Sequence, residues 1–172
     1  KDFARAKETI QFIKDKKWNS ALKSTAKVKD REFRNLITWM YLKTSRNGAS
    51  FNEYKKFIEQ NENYPRINRI RYLAEEKIYL RNNSPTSVIN WFEKYPPLGG
   101  LGKIKLAEAY LEQGKTEKVR ELIKEGWITA TIRKNDLGYY RAKFKKFIDS
   151  DDHIKRADYL AWERKYWDLK RM

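Results

Sequence analysis

A chain of 172 residues, 40% of them hydrophobic, is long enough for one helical domain or a short run of stacked repeats and excludes a disordered tail. Its apolar runs all fall short of the roughly 20 residues needed to cross a bilayer, so no membrane span is expected, and the absence of cysteine excludes disulfides, thiolate metal sites and cysteine nucleophiles. The formal net charge of +16 admits an anionic partner such as nucleic acid, a membrane surface or a cell-wall polymer. The Lys and Arg residues are nevertheless scattered along every segment and interleaved with Glu and Asp, the pattern of a solvated surface rather than of a nucleic-acid-reading stripe.

The chain opens Lys1-Asp2-Phe3 without a methionine, and nothing like a targeting segment precedes the first amphipathic pattern, as expected of a processed or excised chain. Phe3, Ala6, Ile10 and Ile13 fall at helical spacing until Asp15-Lys16-Lys17 interrupts them. Trp18 and Ala21 belong to the next helix, and Phe33, Leu36, Ile37 and Met40 form a further stripe that ends before Arg46-Asn47-Gly48. Ser50 supplies a cap oxygen ahead of Phe51, with Glu53 three residues on, which are the two halves of a capping box. Asn61-Glu62-Asn63 breaks that helix, and Pro65 is expected to open another. Asn82-Asn83-Ser84-Pro85 places a cap serine before a proline at the first helical position. After the connection from Pro96 to Gly102, Gly114 fits a left-handed helix end, where the missing Cβ removes the steric penalty. Leu137, Tyr140, Phe144 and Phe147, then His153 to Trp167, make the last helical pair.

No segment alternates with period two, so the fold class is all-α. Ala21, Tyr54, Val88 and Val119 register the second helices of successive hairpins at a period of about 31 to 34 residues, the spacing of a tetratricopeptide-like array. Such hairpins cannot bury their apolar faces alone and stack antiparallel into an α-solenoid, here a single scaffold over residues 1–172. The last pair departs from the period because the connection after Trp127 is longer.

Candidate chemistry is sparse. Glu75-Glu76 and Asp151-Asp152 are paired acids, but neighbouring helical residues point about 100° apart and cannot flank one bond. Asp151 or Asp152 suits a helix N-terminus instead. His153 is the only histidine, too little for a metal site, and is expected to cap or bond near Arg156 and Asp158, each of which should pair with a neighbouring helix. Gly99-Gly100-Leu101-Gly102-Lys103 fails as a phosphate loop, because Pro97 stands where the first glycine should be and Ile104 where the metal-binding hydroxyl should be. Of the six tryptophans, Trp18, Trp39, Trp91 and Trp162 sit in apolar stripes and are expected in the core, whereas Trp127 and Trp167 are the ones expected to be exposed.

Two stretches are informative together. Trp91-Phe92-Glu93-Lys94-Tyr95-Pro96-Pro97 leads to Gly102, Leu106-Ala107-Glu108-Ala109-Tyr110-Leu111-Glu112-Gln113-Gly114-Lys115, Leu122-Ile123 and Trp127. Asp152-His153-Ile154-Lys155-Arg156-Ala157-Asp158-Tyr159-Leu160-Ala161-Trp162 follows, and Trp18 with Ala21, Trp39, Phe57 with Pro65 and Ala74-Glu75 precede in matching order. This succession resembles the N-terminal superhelical domain of the soluble lytic murein transglycosylases, with Trp91, Pro97, Gly114, Trp127, His153, Arg156, Asp158 and Trp162 as its structural motif residues. The resemblance implies a right-handed α-superhelix, a periplasmic location, and an enzyme that cleaves the MurNAc-GlcNAc β-1,4 bond of peptidoglycan by attack of the sugar's own 6-hydroxyl, giving 1,6-anhydro products. In that family one Glu of a separate lysozyme-like domain serves as acid and then base. No stretch here matches its segment, so no catalytic residue, binding residue, metal or cofactor is assigned, and the chain is expected to stop partway through the full architecture. The implied partners are peptidoglycan glycan strands and the linker and catalytic domains of the same protein. A tetratricopeptide-type adaptor that grips a protein segment in its groove is the alternative from another class; a nucleic-acid-binding solenoid is suggested by charge alone.

Overall fold

The computed structural model describes residues 2–44 and 46–172, and all regular structure among them is helical, in eleven helices. Internal contacts divide the chain into two compact units, one ending at Ala74 and the other spanning Glu75–Met172.

In the first unit, α1 (Asp2–Lys14) and α2 (Trp18–Thr25) pack together across a three-residue turn in which Lys16 takes a left-handed φ of 58°. The expected core stripe of α1 is not its buried face. Thr9 is the buried residue of α1, which packs against α2, while Phe3 and Ile10 are exposed. Helix α3 (Arg31–Lys43) starts at Asp30, whose Oδ1 accepts from the Phe33 amide at 2.7 Å, a start not anticipated in the sequence. Ser50 and Glu53 form the reciprocal capping box of α4 (Phe51–Gln60), with the Glu53 carboxylate accepting from the Ser50 amide at 2.8 Å. The last carbonyls of α3 are satisfied from the same neighbourhood: the Tyr54 hydroxyl donates to Leu42 O at 2.7 Å, and Asn47 Nδ2 to Leu42 O and Thr44 O at 3.0 and 2.9 Å. Pro65 does not open α5 (Ile67–Glu75). It belongs to the preceding turn, where its carbonyl accepts from Trp39 Nε1 at 3.1 Å and Arg66 takes a left-handed φ of 57° before the helix begins.

The second unit contains α6 (Pro85–Lys94), α7 (Gly100–Glu112), α8 (Thr116–Thr129), α9 (Lys134–Lys143), α10 (Ser150–Trp162) and α11 (Tyr166–Lys170). Ser84 caps α6 by accepting from the Ser87 amide, with Pro85 at its first position, and Gly114 closes α7 at φ 71°. The helix expected from His153 to Trp167 is interrupted at Glu163–Lys165, where Arg164 turns left-handed at φ 56°. Ile104, Ala107, Val119, Ile123, Trp127, Ala130, Ile132, Leu137, Tyr140 and Phe144 make the core, and α7 runs through it with every residue from Ile104 to Ala109 buried. A helix buried all round needs small residues where neighbours approach. Gly100 supplies one, since a Cβ there would stand 2.5 Å from the Ala130 amide nitrogen, and Gly102 another, 2.5 Å from the Glu75 carboxyl carbon. The register residues Ala21, Tyr54, Val88 and Val119 lie on α2, α4, α6 and α8 and all are buried.

These contacts make glycine substitutions in the second unit diverge. Gly100→Ala should lower stability by about 2 kcal/mol or more through backbone collision, whereas Gly138→Ala, where a Cβ meets open space, should raise it by roughly 0.5–1 kcal/mol through helix propensity. Paired thermal melts of the two variants check this.

Candidate functional site

Two polar constructions stand out, both in the second unit. The first joins α8 to α10. Asp149 caps α10 reciprocally with Asp152, and Lys124 of α8 reaches both carboxylates at 3.1 and 3.3 Å. One turn on, His153 Nδ1 accepts from Trp127 Nε1–H at 3.3 Å, with the two rings edge to face at 5.4 Å. A further turn on, the buried Arg156 donates through Nη1 to Trp127 O and Ala130 O, 2.9 Å for the latter, and lies over the Trp127 ring at 5.0 Å. These carbonyls are the free acceptors at the C-terminal, negative end of α8, where a cation is favoured. Burial lowers the Arg156 pKa to about 10, partly offset by the charge of Asp168.

The second construction is a cleft of about 240 Å³ lined by Tyr79, Leu80 and Arg81 from the connection before α6, Glu108 from α7, and Asp136, Tyr139 and Tyr140 from α9. Its carboxylates are held by tyrosines: Tyr139 donates to Glu108 at 2.5 Å and Tyr79 to Asp136 at 3.3 Å. Lys143 adds ion pairs to Glu108 at 3.4 Å and Glu112 at 2.6 Å, and although burial acts to lower its pKa, these partners hold it above the usual lysine value. Beside the cleft is Lys105, 1% exposed, whose Nζ lies 3.8 Å from the Tyr79 ring centroid and 5.3 Å from that of Tyr140. It makes no hydrogen bond or ion pair among the described residues. Burial lowers its pKa to about 8 in spite of the charges of Glu108 and Asp136. Burial likewise raises the phenols of Tyr79, Tyr139 and Tyr140.

The residues singled out in the sequence divide between core and surface. Trp91 is buried against Tyr95 at 4.3 Å, Pro97 lies half-buried in the connection before α7, and Gly114 ends that helix. Trp127, expected to be exposed, is fully buried, because α10 covers it with His153 and Arg156. Trp162, expected in the core, is 86% exposed at the end of α10, beside the exposed Tyr166 and Trp167 of α11. Trp18 and Trp39 are half-buried. Arg156 pairs with a neighbouring helix as expected, but Asp158 is exposed and enters no side-chain hydrogen bond or ion pair among the described residues. Glu75 is no acid partner of Glu76: its buried carboxylate accepts from the Leu98 and Gly99 amides at 2.6 and 3.3 Å. It thereby occupies the N-terminus of α7 that the glycine run had suggested for phosphate.

Sequence reasoning passed over Lys105, and Glu108 entered it only as part of the resemblance stretch, without a role of its own. The signal that could have found them is the run Ile104–Ala109, in which two charged residues interrupt apolar ones on every side of the helix rather than on one face. Among the described residues no group of three or more His, Cys, Asp or Glu side chains is placed to hold a metal, and no helix is long and apolar enough to cross a membrane. Compared with protein-family models, curated proteins and solved structures, the chain matches none.

Arg156→Met should cost about 2–4 kcal/mol by leaving two buried carbonyls without donors, and Arg156→Lys should recover less than half of the loss, since one ammonium lacks the planar reach of a guanidinium; chemical denaturation of both variants measures it. For Lys105 the unfolded chain retains the ordinary value of 10.5, so between about pH 8 and pH 10 the folded state binds fewer protons and this site's contribution to stability rises with pH. Lys105→Met should therefore be more stable than the parent by about 1–3 kcal/mol at neutral pH, with the gap narrowing towards pH 10 in parallel melts.

Proposed function

We propose that this chain is the non-catalytic helical scaffold of a lytic murein transglycosylase of the soluble, periplasmic type, its hairpins stacked as a right-handed superhelix. The observation that carries the reading is the joining of two motif pieces 26 to 29 residues apart: Trp127 at the end of α8 is enclosed by His153 and Arg156 of α10. In the resemblance these are the terminal tryptophan of the helical hairpin and the His and Arg of the following helix. A physical role for the pairing explains why the two should travel together in one sequence. The burial of Ala21, Tyr54, Val88 and Val119 on alternate helices supports the repeat register on which the superhelix rests.

On this reading the chain acts by position. A helical scaffold with a net charge of +16 holds an anionic, peptide-bearing glycan near a catalytic groove supplied by another domain. The exposed Trp162, Tyr166 and Trp167 are then the surface on which the rest of the enzyme rests.

Incubation with purified peptidoglycan, followed by sedimentation and mass spectrometry of the supernatant, tests the proposal. The chain should sediment with the polymer at low salt, lose about tenfold in apparent affinity on a tenfold rise in salt, and release no 1,6-anhydro product. Absence of binding at low salt would move the reading to the protein-binding adaptor, and product would reveal a catalytic site within these residues.

A further inference from the structure

The positive charge of the chain is poorly opposed in its first hairpin. Residues 2–29 hold eight Lys and Arg side chains against three Asp and Glu. In the sequence those acids stand among the cations, but in the fold each has another partner. Asp2 accepts from the Lys29 backbone amide at 3.2 Å and keeps only a loose ion pair with Arg5 at 3.9 Å. Glu8 accepts from the Ser24 hydroxyl at 3.1 Å, and Asp15 from the Gln11 side-chain amide at 3.0 Å. Lys7, Lys14, Lys17, Lys23 and Lys27 enter no side-chain hydrogen bond or ion pair among the described residues. Lysines of the second unit differ: Lys124 is paired with Asp149 and Asp152, and Lys143 with Glu108 and Glu112.

Two of the unpaired lysines line a groove of about 290 Å³ between α1 and α2. Arg5, Glu8 and Phe12 form one wall at i, i+3 and i+7, and Ser20, Lys23 and Lys27 form the other at the same spacing. Arg5 donates through Nη1 to Lys27 O at 2.9 Å, which ties the walls together, while its other guanidinium nitrogens make no hydrogen bond among the described residues. The Ser20 hydroxyl is unengaged in the same sense. Three cations, one carboxylate and one unused hydroxyl therefore line a single open groove.

We propose that this groove is where the chain holds the carboxylates of a peptidoglycan strand, on Lys23, Lys27 and Arg5, with neighbouring sugar hydroxyls or amide N–H groups donating to Glu8. The assignment rests on the scaffold reading and locates its charge-driven contact in the first unit. A carboxylate-bearing glycan answers both signs in the groove, since it brings acceptors for the cations and donors for Glu8. A phosphodiester backbone brings acceptors alone and meets Glu8 with like charge. Lys23 and Lys27 are exposed, so each contributes modestly and is screened by salt, which suits a polymer that is held and released along its length.

The test is cosedimentation at low salt with purified peptidoglycan and with chitin, a glycan of related backbone that carries no carboxylate. The parent chain should bind peptidoglycan at least about fivefold more tightly than chitin. Lys23→Gln combined with Lys27→Gln should lose about tenfold in apparent affinity, whereas Lys145→Gln combined with Lys146→Gln, an equal loss of exposed charge in the second unit, should lose less than about threefold. Amide shifts of the ¹⁵N-labelled chain with soluble peptidoglycan fragments should centre on Arg5, Ser20 and Lys23. Failure of the parent chain to sediment with peptidoglycan overturns the scaffold reading and this assignment together. Sedimentation weakened equally by the two double variants, equal binding of chitin, or shifts confined to the second unit overturns the assignment alone. A tighter hold on single-stranded DNA than on peptidoglycan fragments overturns it in favour of nucleic acid.

Discussion

Helix α7 has no solvent face over its central turn and a half, and the second unit is organised around that fact. A helix enclosed on all sides can be approached closely only where side chains are absent, which places glycines at 100 and 102 against the end of α8 and against the Glu75 carboxylate. It must also answer its own polar groups without water. The amides of Leu98 and Gly99 that lead into it are met by Glu75, its left-handed end is made by Gly114, and its two interior charges are met by tyrosines and a lysine from the connection before α6 and from α9.

The buried polar groups around this helix are satisfied to different degrees, and the differences separate structure from chemistry. Arg156 gives Nη1 to two carbonyls and lies over an aromatic face, although its Nε is buried without a partner, and Glu75 has two backbone amides; both act at helix ends. Lys105 has aromatic faces alone. Cation–π contact offsets part of its desolvation but supplies no oxygen acceptor.

The helical class, most breaks, the Ser50 and Ser84 caps and the left-handed Gly114 were legible because each depends on a few neighbouring residues. The faces of the helices were less so. Trp127 lies beside Gly126 near a helix end and looks exposed in one dimension, yet its burial is decided by α10, which begins more than twenty residues later. Trp162 sits in an apolar stripe whose covering partner is not among the helices packed against α10. Phe3 and Ile10 fail for the same reason: periodicity reports that a helix has an apolar face, not that something lies on it. The cleft was illegible because it draws on three segments spread over about sixty residues, and no local pattern marks a lysine that points at tyrosines.

The contact between Glu75 and Gly102 carries a consequence for descent. The carboxylate fills the space that a Cβ at 102 would take, and without the carboxylate the amides of Leu98 and Gly99 lose their acceptor. A Cβ at 102 requires the Glu75 side chain to shift, and that shift loosens its hold on those amides. In related chains a larger residue at 102 should therefore be accompanied by a displaced or replaced acid at 75, with another acceptor, a side chain or water, taking over the amides before α7.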